Sequence, residues 1–170
     1  HEGERQGEGT LSYANGDRYE GSFVAGLPEG RGTLTYHDGH RYEGLWQRGT
    51  RHGFGIVHYS DSSRYEGEWQ NGREHGQGTV YFTDGDRFVG QYVEGARSGS
   101  GVYYFASGDR YEGEYVNRRR QGQGAYFYAN GDRFVGRFED NRKRGMFYFR
   151  DGGIYEGEWR DDKPAGRGVM

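Results

Sequence analysis

Apolar and polar positions alternate along most of this chain, and the alternation recurs at a fixed pitch. Around residue 19 the order is Leu11, Tyr13, Tyr19, Gly21 and Phe23 on one parity, and Thr10, Ser12, Arg18, Glu20 and Ser22 on the other. A period of two is the signature of a strand with one covered face. An aromatic-x-Gly-x-aromatic motif begins at Tyr19, Tyr42, Tyr65, Phe88, Tyr111, Phe134 and Tyr155, so six copies stand 23 residues apart and the last step is 21. A Gly-x-Gly motif keeps the same pitch at Gly7/Gly9, Gly30/Gly32, Gly53/Gly55, Gly76/Gly78, Gly99/Gly101 and Gly122/Gly124.

Between the apolar runs lie "ANGD", "HDGH" and "TDGD", which read as hairpin turns. A two-residue turn would place Tyr19 on the face of Ser12. A three-residue loop with a left-handed glycine pairs Leu11 with Tyr19 and keeps the hairpin amphipathic, so it is the expected form. "YSDSSRY" lacks the glycine, and Ser62 or Ser63 must take its conformation. Each repeat then reads as strand, tight turn, strand, glycine-rich loop. Gly21, Gly44 and Gly67 lie between aromatic positions, where a side chain would hold the rings off the sheet. The expected fold is all-β: an elongated single-layer antiparallel ribbon of stacked β-hairpins, continuous over 1–170. The chain begins inside a loop and stops just inside a strand, which reads as a fragment of a longer array.

Composition sharpens this picture. Hydrophobic residues are 31%, aromatics 17%, with 34 glycines and 2 prolines, too aromatic for a disordered chain. The net charge of −3 gives no global field for nucleic acid or membranes, so charge-driven binding must be local. There is no cysteine, hence no disulfide framework, and no apolar run of transmembrane length.

The "YEGEW" core, the trailing "HGQG" or "QGQG" and the 23-residue pitch resemble the MORN (membrane occupation and recognition nexus) repeat family. The resemblance covers the whole chain. It implies a cytoplasmic protein, cytoskeleton-associated or at the cytoplasmic face of a membrane, closest in style to the all-repeat cytoskeletal scaffolds of protists. It also implies contact with other cytoskeletal proteins. Family members that are enzymes carry a separate catalytic domain, and no such domain is recognisable here, so no enzymatic activity and no cofactor are expected. Two alternatives stay open: a phosphoinositide-recognition module of a membrane-tethering protein, or the regulatory arm of a larger enzyme.

Candidate chemistry is sparse. His52 and His75 stand one repeat apart and read as structural, and His1 and His58 belong to no motif. His37 and His40 flank a turn, and two ligands are too few for a closed zinc site. The recurrent Gly-x-Gly precedes strands, unlike a phosphate-binding loop. Arg18, Arg41, Arg64, Arg87, Arg110 and Arg133 form a ladder with Glu20, Glu43, Glu66 and Glu112, expected to pair across strands or to read acidic partners. Arg118, Arg119, Arg120 and Arg142, Lys143, Arg144 occupy consecutive loops and are expected to crowd on one edge. There they form either a solvated rim or a site for acidic phospholipid, with Glu139, Asp140, Asp161 and Asp162 diluting the field.

One departure from alternation stands out. The column Ser12, Thr35, His58 continues as Tyr81, Tyr104, Phe127, Tyr148; the column Thr10, Thr33, Ile56, Thr79 continues as Val102, Ala125, Met146. Val89 and Val135 replace the repeat glutamate, and Ile154 replaces the arginine. The nominally polar face thus turns apolar in the C-terminal half, which marks an interaction surface. The expectation is an antiparallel homodimer through Tyr104, Ala125, Phe127, Val135, Met146, Tyr148 and Ile154; the competing occupant is another segment of the same chain. The two-residue deletion before Tyr155 is expected to tighten the loop "EDNRKRG" and alter the local twist.

Overall fold

The computed structural model describes residues 5–140, 142–160 and 163–169; His1, Asp161 and Asp162 lie outside the described residues. These residues form fifteen β-strands and no helix. The chain divides into two units, residues 1–83 with 92–95, and 84–91 with 96–170. The first holds β1 (Gly7–Ser12), β2 (Arg18–Val24), β3 (Leu27–Thr35), β4 (Arg41–Gln47), β5 (Thr50–His58), β6 (Arg64–Gln70) and β7 (Arg73–Tyr81). After β8 (Arg87–Val93), the second holds β9 (Ala96–Tyr104), β10 (Arg110–Val116), β11 (Arg119–Phe127), β12 (Arg133–Glu139), β13 (Arg142–Tyr148), β14 (Ile154–Arg160) and β15 (Lys163–Val169). Within each unit every strand pairs antiparallel with the next, giving a single-layer meander as expected.

Leu11 faces Tyr19, the register that keeps the hairpin amphipathic. Tyr13 and Asp17 close a three-residue loop, and Gly16 sits at φ +93° with its N–H on the Tyr13 carbonyl. Gly39, Gly85, Gly108 and Gly131 repeat that φ within two degrees, and Ser62 takes the left-handed position at φ +72° where glycine is missing.

The second connection differs from expectation. The glycine-rich segment is no loop, because Gly-x-Gly lies inside the long strands β3, β5, β7, β9 and β11. The chain reverses before it in a two-residue turn such as Ala25-Gly26, with both residues at positive φ (+48° and +78°), matched to strand twist. Past the turn the ladder slips: Phe23 faces Pro28 while Gly21 faces Gly32, so the second strand carries two extra residues in a bulge. The bulge N–H groups are capped from the opposite strand, as where Gln91 accepts from Ser100 N (3.0 Å) and Glu114 from Gln123 N (3.3 Å).

The shortened repeat is explained by this bulge and corrects the expected loop. Between β12 and β13 the ladder runs without a slip from Phe134↔Phe147 to Glu139↔Arg142. The two residues are missing from the bulge, not from the turn. Arg137 stands there in place of the capping Glu or Gln. A shift returns between β14 and β15.

The core is one face of rings. Tyr19, Tyr42, Tyr65, Phe88, Tyr111 and Phe134 are fully buried. Tyr19 meets Phe23 and Trp46 edge to face at 5.1 and 5.2 Å, and Tyr111 meets Tyr115 and Phe138 at 5.5 and 4.9 Å. Such pairs add about 0.5–1.5 kcal/mol each beyond burial. The rings lie flat over bare backbone: a Cβ on Gly44 would come 2.6 Å from the Tyr42 hydroxyl, and one on Gly78 2.5 Å from the Tyr65 ring. The hydroxyls then reach main chain three residues on, Tyr42 to Leu45 O at 2.8 Å and Tyr65 to Glu68 O at 2.9 Å.

Candidate functional site: the two faces of the C-terminal unit

On the second face the strand register aligns one row of side chains. Tyr104 faces Arg110, Arg110 faces Phe127, Phe127 faces Arg133, Arg133 faces Tyr148, and Tyr148 faces Ile154. The guanidinium carbons of Arg87, Arg110 and Arg133 sit 4.3, 4.4 and 4.4 Å from the ring centres of Tyr104, Phe127 and Tyr148. The sequence reading missed this: where the facing residue is aromatic, as for Arg64, Arg87, Arg110 and Arg133, the ladder arginine stacks on it. Its carboxylate contacts run along its own strand, Arg18 to Glu20 at 2.7 Å and Arg110 to Glu112 at 2.8 Å, not across strands. A second row places Ala125 opposite Val135 and Val135 opposite Met146. The seven expected interface residues therefore share the second face, their rings separated along the row by Arg110 and Arg133, and Val135 is 41%, Met146 36% and Ile154 46% exposed.

On the first face, the aliphatic column Leu11, Leu34, Val57, Val80 continues as Tyr103, Tyr126, Phe147. Their rings join Phe105, Tyr128 and Phe149 in a strip with centroids 4.5–5.6 Å apart, from Tyr103–Phe105 at 4.6 Å to Phe147–Phe149 at 4.7 Å. The turn aspartates hold this strip. Asp86 accepts from Tyr103 OH at 2.7 Å and Ala106 N at 2.8 Å, and Asp109 accepts from Tyr126 OH and Ala129 N, both at 2.8 Å. Burial first, then these carboxylates, push the Tyr103 and Tyr126 hydroxyls well above the usual phenol range, so both are neutral donors. Tyr115 is pushed up to about 12 by burial, with Arg97 and Arg120 acting in the opposite direction.

The six cations of the basic loops are divided by strand alternation. Arg120 turns onto the rings of Tyr111, Tyr126 and Phe138 at 5.4–5.9 Å. Lys143 does the same over Tyr126, Tyr128, Phe134 and Trp159, donates to Tyr128 OH at 2.9 Å and is only 8% exposed, which removes it from a solvent-facing cluster. Arg119 pairs with Asp140 at 3.2 Å and Arg144 lies 4.0 Å from Glu158. Arg118, Arg119 and Arg120 line one cavity with Arg97; Arg142, Lys143 and Arg144 line another with Arg137 and Arg160.

His37 and His40 belong to turn packing, whereas His52, His58 and His75 lie within β5 and β7. Asp17 accepts from His37 N at 2.9 Å and lies 3.0 Å from its Nδ1, and the His40 ring meets Tyr59 edge to face at 5.5 Å. Among the described residues no group of three or more histidines and carboxylates is placed to hold a metal ion. Among them also no helix is long and apolar enough to cross a membrane.

The sequence profile of the MORN repeat matches residues 1–18, 19–41, 42–64, 65–87, 88–110, 111–133 and 155–170. This chain belongs to the MORN repeat family. The one unmatched stretch, 134–154, contains the hairpin whose ladder lacks the bulge. No curated protein matches in sequence. Among solved structures, the SAS-4 (dCPAP) TCP domain of Drosophila melanogaster, in complex with a proline-rich motif of Ana2 (dSTIL), is 14% identical. The match covers 87% of this chain and 82% of that one, with TM-score 0.55, and it shows a shared fold. The TCP10c domain of Drosophila melanogaster Sas-4 is 15% identical over 87% of this chain and 90% of that one, with TM-score 0.49.

Proposed function

We propose that this chain is a non-enzymatic MORN scaffold that forms an antiparallel homodimer through the second face of its C-terminal unit and organises cytoskeletal or cortical assemblies in the cytoplasm. The observation that carries this reading is the exposure of Val135, Met146 and Ile154 beside Phe127 and Tyr148. In the first three repeats the same columns hold Glu20, Glu43 and Glu66, Arg18, Arg41 and Arg64, and Thr10 and Thr33, with Ile56 the apolar exception. Fully burying one large apolar side chain contributes roughly 1.5–3 kcal/mol, so a patch of this size can exceed the cost of association. A second copy presents the same patch about a two-fold axis. The related fold of the Drosophila SAS-4 domain, solved with a protein motif bound, supports a protein-interaction role. Val135→Glu with Ile154→Arg restores the residues found at Glu112 and Arg110 and preserves the strand pattern. Wild type is expected to sediment as a dimer and the double variant as a folded monomer; a dimeric variant or a monomeric wild type overturns the reading.

A second use, contact with acidic phospholipid through the basic loops, is favoured by one feature. Arg142 and Arg144 are exposed beside Arg137 and Arg160.

A further inference from the structure

The same place in the fold can be compared two repeats apart. In the N-terminal unit it holds Arg51, Tyr59, Trp69, Gly72, Arg73, Glu74 and Glu94, and its charges are matched. Arg73 pairs with Glu94 at 3.5 Å, Glu74 accepts from Tyr59 OH at 3.3 Å, and Arg51 donates to Gly72 O at 2.7 Å while stacking on Trp69 at 4.4 Å. In the C-terminal unit the equivalent residues are Arg97, Phe105, Tyr115, Arg118, Arg119, Arg120 and Asp140, with Tyr103 added to the floor. They line a cavity of about 510 Å³. The pair Arg119–Asp140 reproduces Arg73–Glu94. Glu74, however, has become Arg120, and Gly72 has become Arg118. Four arginines now face one aspartate.

Arg97 and Arg120 are placed by rings, not by carboxylates. Arg97 lies 5.1 Å from the Phe88 centre, 5.8 Å from Tyr103 and 5.6 Å from Tyr115. Arg120 is held between Tyr111, Tyr126 and Phe138. Among the described residues neither makes an ion pair. Aromatic faces fix a guanidinium without neutralising it, so its planar donors stay directed at a bidentate anion.

We infer that this cavity binds a carboxylate side chain of an extended acidic segment from a partner protein, whose apolar residues run along the ring strip from Phe105 to Phe149. Two features distinguish such a segment from a lipid headgroup. The floor is aromatic on the sheet face, and the adjoining strip offers several ring surfaces in line, which suits alternating anionic and apolar residues. The site is on the opposite face from the proposed dimer patch, so dimer failure and failure here are read separately.

The test uses a fluorescein-labelled twelve-residue peptide of alternating proline and glutamate, because it is extended, carries carboxylates and presents apolar rings. Wild type should bind it in 50 mM salt, more weakly in 500 mM, and should ignore the proline–lysine counterpart. Arg120→Glu restores the acid found at Glu74 and should raise Kd at least tenfold. Arg120→Gln should raise it about fivefold and serves if the first variant does not fold. Arg48→Glu, an equal change of charge at an exposed residue outside the cavity, should change Kd less than twofold. Equal loss in Arg48→Glu, or no preference over the lysine peptide, overturns the inference. So does Arg120-dependent binding to vesicles with 20% phosphatidylserine without peptide binding.

Discussion

The two units use the same strand register to different ends. In the N-terminal unit, Arg18, Arg41 and Arg64 each pair with the glutamate two residues on. Thr35 and His58 stand opposite the first two. In the C-terminal unit the facing positions are Phe127 and Tyr148, and Val135 has displaced one of the glutamates. There Arg110 and Arg133 lie over rings. On the first face the aliphatic Leu34 and Val57 give way to Tyr126 and Phe147. The lesson is that a repeat backbone held by buried rings leaves the outer columns free to vary, and variation within one column changes a solvated face into a sticky one.

Substituting the shared scaffold should have the largest effect and should erase the difference between the units. A Cβ at Gly78 or at Gly101 would lie 2.5 Å from the ring of Tyr65 or Phe88, both buried and unable to retreat. Gly78→Ala and Gly101→Ala should each cost about 3 kcal/mol, read by urea denaturation. A cost confined to one unit breaks the claim of a common scaffold.

The turn aspartates come next. Asp109 serves a backbone N–H and the part-buried Tyr126 hydroxyl, whereas Asp17 serves exposed His37. Asp109→Ala should therefore lose about 2 kcal/mol and exceed Asp17→Ala. The His37 backbone N–H, then its ring, hold the Asp17 carboxyl below the usual range. A depressed folded-state pKa stabilises above the unfolded value, and that stabilisation disappears as pH falls through the folded one. Asp17→Asn should accordingly reduce the melting temperature at pH 7 and converge with wild type in acid.

The smallest effect separates the second faces directly. Phe127→Thr, the residue found at Thr35, should cost about 1 kcal/mol through loss of the ring beneath Arg110. The reverse change, Thr35→Phe opposite Arg18, should gain about 0.5 kcal/mol. No gain would show that Glu20 already holds Arg18 in place.

Much of the fold is legible in the residues themselves. The alternation around Tyr19, the "ANGD" turn and the 23-residue pitch lead to the observed hairpin, its three-residue loop and its face assignment, and narrow the left-handed serine to Ser62 or Ser63, of which the structure selects Ser62. The patch from Phe127 to Ile154 is also visible as columns. Three features were not legible. The bulge was hidden because Gly-x-Gly reads equally as a loop. The fate of Lys143 was hidden because its place on the ring face is set by its pairing with Phe138 across the β12–β13 hairpin. The cavity at Arg97 and Arg120 was hidden because its walls come from different repeats.

What the sequence alone determined is local: which residues alternate, where the chain reverses, and which column each side chain occupies, because strand parity and turn chemistry act over a few residues. Only the tertiary structure decided which columns meet. Arg110 finds Phe127 and Asp109 finds Tyr126 seventeen residues away because hydrogen-bonded strands place those positions side by side. The register next to the turn, Arg120 opposite Tyr115 and Lys143 opposite Phe138, likewise decides that these two cations turn onto the ring face.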